Sequence, residues 1–370
     1  GLVETLLNLP PYETEVLYRT ASLYAAAGRP WEAVVALGFV VDENPESELG
    51  KRAFAESLMI LADPLNEYEW VEKSARPFLS AHQDGISPRM AALALTICYQ
   101  KQALWKQVKQ LLPILKGFIP SDDTDICKYE CELYYMQAIA DLMLFDYKGA
   151  LAGFSKILVD FSGSHQQENA TYWHAMSHLF LKDYESALTE FQGYLSVYPN
   201  GKWRPEVTFH EGICLFGQEK MEAAQARFTD VIQKYPKSQV YPDACSLRGD
   251  ILASNGLLDE AKRDYEQAIA SAHTPKQDTY AVFQLTSMLY SEKRYQEIID
   301  LVTAYLKRRG DDGDVSKAAY WIGKTKLDQG LIHEAISAYR EAIIQYGNNI
   351  LQDGVDLIIM ELYNVSRRLE

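Results

Sequence analysis

One short pattern of apolar and small residues recurs at a fixed interval through the central part of the chain. An aromatic or apolar residue is followed three positions later by a small one and, four positions after that, by a second aromatic or apolar one, as at Tyr147, Ala150 and Phe154. Further copies begin 37 residues apart, with Ile298 at the small position of the fifth copy, at Tyr184, Met221, Leu258, Tyr295 and Ile332. This spacing places the three residues on one face of a helix, so the pattern predicts six regularly spaced helices.

A second series of small residues precedes the first by a constant distance. It lies twelve residues before the small position of each copy and comprises Ala138, Ala175, Gly212, Gly249, Thr286 and Gly323. Small residues on successive helices let two backbones approach closely, and turn signals such as Asn255-Gly256 and Gln329-Gly330 lie between the two series. The repeating unit is therefore predicted to be a helical hairpin, and its fixed period indicates hairpins stacked into an all-α solenoid.

The spacing of these residues resembles the tetratricopeptide repeat. In one copy, the small, aromatic, alanine, aromatic and proline positions of that repeat are occupied in order by Ala175, Tyr184, Ala187, Phe191 and Pro199. The chain departs from the pattern at Met221, which replaces an aromatic residue, at Gly347, which replaces the last proline, and in having a period longer than about 34 residues. The resemblance implies a right-handed superhelix of about nine to ten hairpins and a C-terminal capping helix.

Two of the regular units end in VYPNG (197–201) and KYPKS (234–238). Units of this kind resemble those of bacterial envelope tetratricopeptide repeat proteins, such as the lipoprotein of the outer-membrane β-barrel assembly machine and the periplasmic partner of the Tol-Pal system. The resemblance implies a location in the bacterial periplasm or at the periplasmic face of the outer membrane. The odd count of five cysteines favours a reducing compartment instead, so a cytoplasmic location stays open.

The N-terminal residues lack the features of an export signal. Gly1-Leu2-Val3-Glu4 contains neither Met nor the basic and apolar regions of a signal peptide. We expect this end to be trimmed, so that any export signal or lipid-anchored cysteine would lie upstream. No window reaches the roughly 18 uninterrupted apolar residues of a membrane-spanning helix.

The regularity of the pattern divides the chain into three predicted segments. Residues 1–120 form irregular repeat units, residues 121–347 form the six regular units, and residues 348–370 form the capping helix. The stretch GFIPSDDT, residues 117–124, marks the change of register, and we expect a hinge there between two parts of the solenoid.

Composition narrows the choice of partner. The chain is 48% hydrophobic, so it can bury a large core, and it has a net charge of −15. Nucleic acids and anionic membrane surfaces require a basic footprint, so the charge argues against both and favours cationic or mixed partners.

No residues have the spacing of a catalytic centre. We find no Gly-rich phosphate loop, no HExxH, no paired CxxC and no nucleophile elbow. His174 and His178 lie four apart on one predicted helix, but without a nearby Glu motif or Cys pair a hydrogen-bonded pair is favoured over a metal site. The acidic run RGDDGD (309–314) is too short for a calcium loop. We therefore predict a non-enzymatic protein without a metal or cofactor.

The inner wall of the solenoid, formed by the first helix of each hairpin, is the predicted binding surface. The resemblance implies that one position of this helix faces the groove, and that position and the next give a candidate partner-binding set of Tyr135, Tyr172, Trp173, Phe209, Phe283, Tyr320 and Trp321. The alternative is that these rings pack between hairpins as core. The polar residues of the same wall are Asp243, Asp250, Lys317, Lys324 and Asp328, and they lack the Lys, Asn and Arg pattern of the repeats that bind chaperone tails.

Together these features predict a non-enzymatic scaffold or adaptor that binds a protein or peptide in its concave groove, in a bacterial envelope complex. Two alternatives stay open. One is an accessory subunit of an enzyme or secretion complex that uses its convex face or its ends, and the other is a carrier of a small apolar ligand.

Overall fold

The computed structural model describes residues 14–82, 85–117, 126–310 and 314–346, together with positions 360, 361 and 363. The helices in this part of the chain are α1 (Thr14–Ala26), α2 (Pro30–Glu43), α3 (Glu48–Ala62), α4 (Tyr68–Ala81), α5 (Ile86–Lys101), α6 (Trp105–Gly117), α7 (Ile126–Met143), α8 (Tyr147–Asp160), α9 (Gln167–Phe180), α10 (Tyr184–Val197), α11 (Arg204–Gly217), α12 (Met221–Lys234), α13 (Tyr241–Ser254), α14 (Leu258–Ser271), α15 (Pro275–Ser291), α16 (Tyr295–Arg309), α17 (Val315–Asp328) and α18 (Ile332–Tyr346). No strand occurs among the described residues, and the prediction of an all-α solenoid is confirmed for them.

The chain forms two compact units, Gly1–Asp183 and Tyr184–Glu370. In the first unit, successive helices pack as the pairs α1/α2, α3/α4, α5/α6 and α7/α8, and α9 packs against α8. In the second unit, α10 packs against α11, and the pairs are α11/α12, α13/α14, α15/α16 and α17/α18. The predicted change of register and the predicted capping helix lie outside the described residues, apart from Gly117 and the three isolated positions.

The recurring sequence pattern coincides with the helix boundaries. The helices α8, α10, α12, α14, α16 and α18 begin at the six residues that open the six copies. The apolar face that the pattern defines is buried, as Ala150 and Phe154 show with no exposed surface. The structure thus confirms the six helices that the pattern predicted, and it adds that each begins at the first residue of its copy.

The small residues let neighbouring helices approach closely, as predicted. A Cβ atom added at Gly212 would lie 2.5 Å from the Phe228 ring, and one at Gly249 would lie 2.9 Å from the Tyr265 ring. Gly323 lies in the same way against Tyr339. Each glycine thus leaves room for the ring of the following helix, and this contact locks the hairpin.

One residue in each turn between the two helices of a regular unit has a left-handed backbone. These residues are 37 apart, with φ between 58° and 78°, and they are Phe145, Lys182, Glu219, Gly256, Lys293 and Gly330. The sequence signalled this turn only where glycine occupies the position. At the other four, a side chain is held in a conformation that non-glycine residues rarely adopt.

Candidate functional site

A groove of 610 Å³ lies between α15 and α17, two first helices of hairpins in the second unit. It is lined by Pro275, Lys276, Thr279, Tyr280, Phe283, Gln284 and Ser287 of α15, and by Asp314, Lys317 and Trp321 beside and within α17. The groove therefore lies on the predicted inner wall, and it brings together two of the predicted site residues, Phe283 and Trp321.

The start of α15 is fixed by its capping residues. Thr274 and Gln277 form a capping box, in which the Thr274 hydroxyl accepts a hydrogen bond from the Gln277 backbone N–H and the Gln277 side chain accepts one from the backbone N–H of Thr274. Pro275 occupies the first turn, where its lack of an N–H has no consequence. The Gln277 amide also donates to Asp243 of α13 at 2.6 Å, so the capping residue joins α15 to the preceding hairpin.

A buried carboxylate positions Tyr280 at the groove. The Tyr280 hydroxyl donates to Asp250 of α13 at 2.5 Å, and the Tyr265 hydroxyl donates to the other oxygen of that carboxylate at 2.6 Å. Burial raises the pKa of Asp250, and the two hydrogen bonds partly oppose this effect. Burial, and then the bond to Asp250, raise the pKa of Tyr280 to about 12. Gln284 donates to the Tyr280 hydroxyl at 3.0 Å, which completes a fixed polar rim.

Phe283 forms the floor of the groove. Its ring is only 4% exposed and packs edge-on against Tyr305 of α16, with ring centres 5.3 Å apart. The ammonium of Lys317 lies 4.7 Å from the centre of the ring, within the range of a cation–π contact. The Tyr305 hydroxyl accepts a hydrogen bond from the backbone N–H of Asp314 at 2.7 Å and shares another with Thr279 at 2.8 Å. One tyrosine thus joins α15, α16 and the start of α17 beneath the floor.

A buried ion pair holds α16 against the first turn of α15. Asp278 has no exposed surface and accepts hydrogen bonds from Arg309 at 2.6 Å and from Arg308 at 2.9 Å. Both arginines lie in the last turn of α16, where basic residues suit the negative end of the helix dipole. The structure adds that they neutralise a carboxylate buried under the groove, as a buried charge requires.

Trp321 forms the other wall, and neighbouring side chains hold its indole in place. The indole is half-buried, with its ring centre 5.3 Å from that of Tyr290 and 5.8 Å from that of Tyr320. The Lys324 ammonium lies 5.8 Å from the centre of the indole and donates to the Tyr320 hydroxyl at 3.0 Å. That hydrogen bond is the main reason why the pKa of Lys324 is raised. The Tyr290 hydroxyl donates to Asp328, which fixes the far side of the cluster.

The structure places the remaining predicted site residues at different depths. Phe209 is 9% exposed and lies 5.7 Å from Phe228, while Tyr135 is half-buried with its ring centre 6.0 Å from that of Phe154. Like Phe283, both contact rings of the second helix in their own hairpin. This packing agrees with the alternative interpretation of the rings as core. A partner contact by any of the predicted residues stays a prediction.

Two predicted residues lie in the first unit on α9. Tyr172 is 4% exposed and packs edge-on against half-buried Trp173, with ring centres 4.9 Å apart. On the same helix, His174 forms a hydrogen bond with Ser155 at 2.7 Å, and His178 forms one with Asp183 at 3.1 Å. Both histidines therefore have hydrogen-bond partners, and the absence of a metal site at this pair stays a prediction.

Tyr280 and Lys276 are among the lining residues that the sequence interpretation missed. Tyr280 lies three residues before Phe283, and Lys276 four residues before Tyr280, so both share its helix face. The 37-residue period carried a signal for them, because Tyr280 belongs to a column that runs Glu206, Asp243, Tyr280, Lys317. Extending the periodic comparison from apolar to polar positions would have indicated this column.

The half of this wall formed by α11 and α13 has a different surface. Glu206 is half-buried, one of its carboxylate oxygens has no hydrogen-bond partner among the described residues, and burial raises its pKa. His210 stacks on Phe191 at 5.8 Å, and burial lowers its pKa to about 4. Burial also raises the pKa of Asp243, which the hydrogen bond from Gln277 partly opposes. Enclosed carboxylates therefore line the half of the wall formed by α11 and α13, whereas lysines line the half formed by α15 and α17.

Two family models match the chain. The model of an outer membrane lipoprotein family matches residues 164–279, and a tetratricopeptide repeat model matches residues 316–343. No curated protein matches significantly. In the described part of the chain, no helix combines the length and the apolar character that a membrane crossing requires.

Solved structures show the same fold at low sequence identity. A tetratricopeptide repeat protein from Parabacteroides merdae is 16% identical with a TM-score of 0.53, covering 72% of this chain and 98% of that one. Yeast Tom70 is 15% identical with a TM-score of 0.53, covering 100% of this chain and 84% of that one. RapI in its apo form is 12% identical with a TM-score of 0.57, covering 91% of this chain and 99% of that one.

The matched families are generally non-catalytic scaffolds, and this repeat fold typically binds protein or peptide partners. The fold of the chain is consistent with a protein-interaction adaptor. Its repeat pattern, its helical hairpins and the family models agree, and the chain is a tetratricopeptide repeat protein that resembles the envelope proteins of this class.

Proposed function

We propose that this protein is a scaffold that binds a segment of a partner protein in the groove between α15 and α17, within a bacterial envelope complex. The observation that carries the proposal is the preformed groove, in which Phe283 and Trp321 are held by contacts independent of any ligand. A ligand that enters such a surface loses its own conformational freedom but little of the scaffold's. Aromatic side chains held in this way are the common anchors of protein interfaces.

The lining argues against the alternative of a carrier for small apolar ligands. Lys276 and Lys317 line the groove, and an apolar ligand would remove water from their ammonium groups without pairing their charge. A peptide can instead place apolar side chains on the floor and polar groups at the rim. Polar lining of this kind therefore supports a protein partner.

The match to the outer membrane lipoprotein family supports an envelope location. The matched residues 164–279 include α11 to α14, the helices next to the groove. Fractionation of cells that express the protein from its own gene tests this location. We expect it with the membrane or periplasmic fraction, and recovery in the cytoplasm alone would contradict an envelope role.

Photocrosslinking in cells tests the groove. A photoreactive phenylalanine analogue at Gln284 samples the groove, and one at Thr303 samples a separate 590 Å³ groove lined by residues of α16, α17 and α18. We expect a protein adduct, identified by mass spectrometry, from Gln284 and none from Thr303. Adducts from Thr303 alone would contradict the proposal and favour an accessory subunit that docks through the other face.

A further inference from the structure

The groove between α15 and α17 has the opposite charge to the chain as a whole. The chain carries a net charge of −15, yet Lys276 and Lys317 line the groove, and neither forms an ion pair with a described acidic side chain. The single carboxylate of the lining, Asp314, is already engaged, since it accepts a hydrogen bond from the backbone N–H of Lys317 at 3.0 Å and caps α17. Two lysine ammonium groups thus stand against one carboxylate in the lining, which leaves a net positive charge at one end of an aromatic floor.

The same wall changes sign along the second unit. At one position of the 37-residue repeat the side chain is Glu206 on α11 and Asp243 on α13, then Tyr280 on α15 and Lys317 on α17. Seven residues further along each helix, Asp250 of α13 corresponds to Lys324 of α17. A ligand of uniform charge along the whole wall would meet repulsion at one end. A local acidic segment placed over α15 and α17 would meet attraction.

The side chains that supply the charge indicate how an acidic group would be recognised. Lysine ammonium groups act as mobile point charges and do not fix both oxygens of a carboxylate, as an arginine or amide fork does. They suit acidic side chains that flank an anchor better than one terminal carboxylate in a fixed orientation. The Lys317 ammonium lies 4.7 Å above the centre of the Phe283 ring, so a carboxylate paired with it would sit beside an apolar residue resting on the floor.

We propose that the groove binds an extended partner segment in which an apolar or aromatic residue is flanked by aspartate or glutamate side chains. The proposal rests on the proposed function and adds the chemical class of the ligand. The apolar residue contacts Phe283 and Trp321, and the flanking carboxylates pair with Lys276 and Lys317.

Two rhodamine-labelled peptides test this proposal by fluorescence anisotropy with the full chain. One is Asp-Glu-Leu-Phe-Asp-Glu with both ends blocked, and the other has Asn and Gln in place of the acidic residues. We expect the acidic peptide to bind at least tenfold more tightly than its amide counterpart, with a preference that shrinks as salt is added. Equal affinities would overturn the proposal, as would binding that requires an unblocked C-terminal carboxylate.

Charge reversal locates the interaction. We expect K276E together with K317E to weaken binding of the acidic peptide at least tenfold, and to strengthen binding of a third peptide with lysines at the flanking positions. The control pair K293E with K307E makes the same change in net charge at exposed positions outside the groove lining, and its binding should match that of the unmodified protein. An equal loss in the control pair would show a general field effect and overturn the proposal. The gain for the lysine peptide is a result that an unfolded variant could not give.

The two levels of the proposal fail in different ways. A protein adduct at Gln284 without any preference for acidic peptides would overturn the ligand class and leave the proposed function standing. Absence of an adduct at Gln284 would overturn the proposed function itself.

Discussion

The two halves of the inner wall in the second unit, formed by α11 and α13 and by α15 and α17, have the same helical architecture and differ in the side chains at their surface. In both halves a buried ring packs on the second helix of its hairpin, Phe209 against Phe228 in one and Phe283 against Tyr305 in the other. Above these rings, α11 and α13 carry enclosed carboxylates, whereas α15 and α17 carry lysines and tryptophan around an open groove. The repeat therefore fixes the floor, and the positions just above the floor are free to differ in chemistry.

Substitution of the buried rings that form the floor of each half should have the largest effect on the free energy of unfolding. Phe209→Ala and Phe283→Ala should each lower the free energy of unfolding by about 3–5 kcal/mol, because each removes a buried ring and leaves a cavity. Urea unfolding followed by circular dichroism measures both. If F283A unfolds as the unmodified protein does, the ring does not stabilise the core and the comparison between the two floors fails.

The ion pair under the groove is confined to one half, since the residue 37 positions before Asp278 is Tyr241. Asp278→Asn should lower the free energy of unfolding by about 2–3 kcal/mol, because it removes the charge that pairs with Arg308 and Arg309. The two arginines retain partial access to water, which keeps the loss below that for fully buried partners. A double-mutant cycle with Arg309→Gln should show coupling, and strictly additive losses would contradict the pairing.

The surface above the floor should affect binding more than folding. Trp321→Ala should weaken binding of the acidic peptide about tenfold, equivalent to about 1.4 kcal/mol, because the indole is half-buried and held ready at the groove. Leu247→Ala is the matched control, since Leu247 occupies the same repeat position on α13. Anisotropy titrations with both variants decide the point. Equal losses of affinity would show that binding extends over both halves.

Substitution of Glu206 and His210, in the half formed by α11 and α13, should change the free energy of unfolding least. The two changes should depend on pH in opposite directions. Because the pKa of Glu206 is raised, the folded chain holds this proton more tightly than the unfolded chain, and stability is lost as the pH rises through the raised pKa. Glu206→Gln should raise the free energy of unfolding near pH 7 by less than about 1 kcal/mol, since the group is partly screened by water. The gain should disappear near pH 4, and urea unfolding at the two pH values measures it. A loss of stability near pH 7 would indicate that the carboxylate has a partner.

The pKa shift of His210 changes stability with pH in the opposite direction to that of Glu206. Because its pKa is lowered to about 4, the unfolded chain binds this proton more readily, and stability is lost as the pH falls from 6.5 towards 4. His210→Gln should flatten the dependence of stability on pH over that range. An unchanged slope would assign the acid sensitivity to other groups.

The sequence predicted the parts of the fold that repeat. Buried helix faces such as that of Ala187 and Phe191, and close approaches such as that of Gly212 to Phe228, follow from apolar and small residues at a fixed period, because each contact is local and recurs. The candidate site was predicted in part. Phe283 and Trp321 were found because the repeat pattern places them at the two neighbouring positions of the first helix from which the candidate set was drawn.

Contacts that do not recur from repeat to repeat could not be predicted from the sequence pattern. The pairing of Asp278 with Arg308 and Arg309, and the hydrogen bond from Tyr280 to Asp250, join residues about 30 positions apart, and they have no counterpart at the equivalent positions of the described repeats. The sequence also left open how deeply the rings are buried, because a ring on this helix face can be covered by the next helix or face the groove. Packing of Phe283 against Tyr305 decides that question, and it depends on the crossing of two helices.

The left-handed turn residues bear on how the repeats could be engineered. At Phe145, Lys182, Glu219 and Lys293 a side chain occupies a backbone state that disfavours it by roughly 1 kcal/mol, while the equivalent turns at Gly256 and Gly330 avoid that strain. Glycine at these four sites would relieve the strain and in return loosen the unfolded chain, so the balance at each turn depends on its own side chain. A designer who wished to adjust the rigidity of single hairpins without touching the groove would therefore begin at these corners.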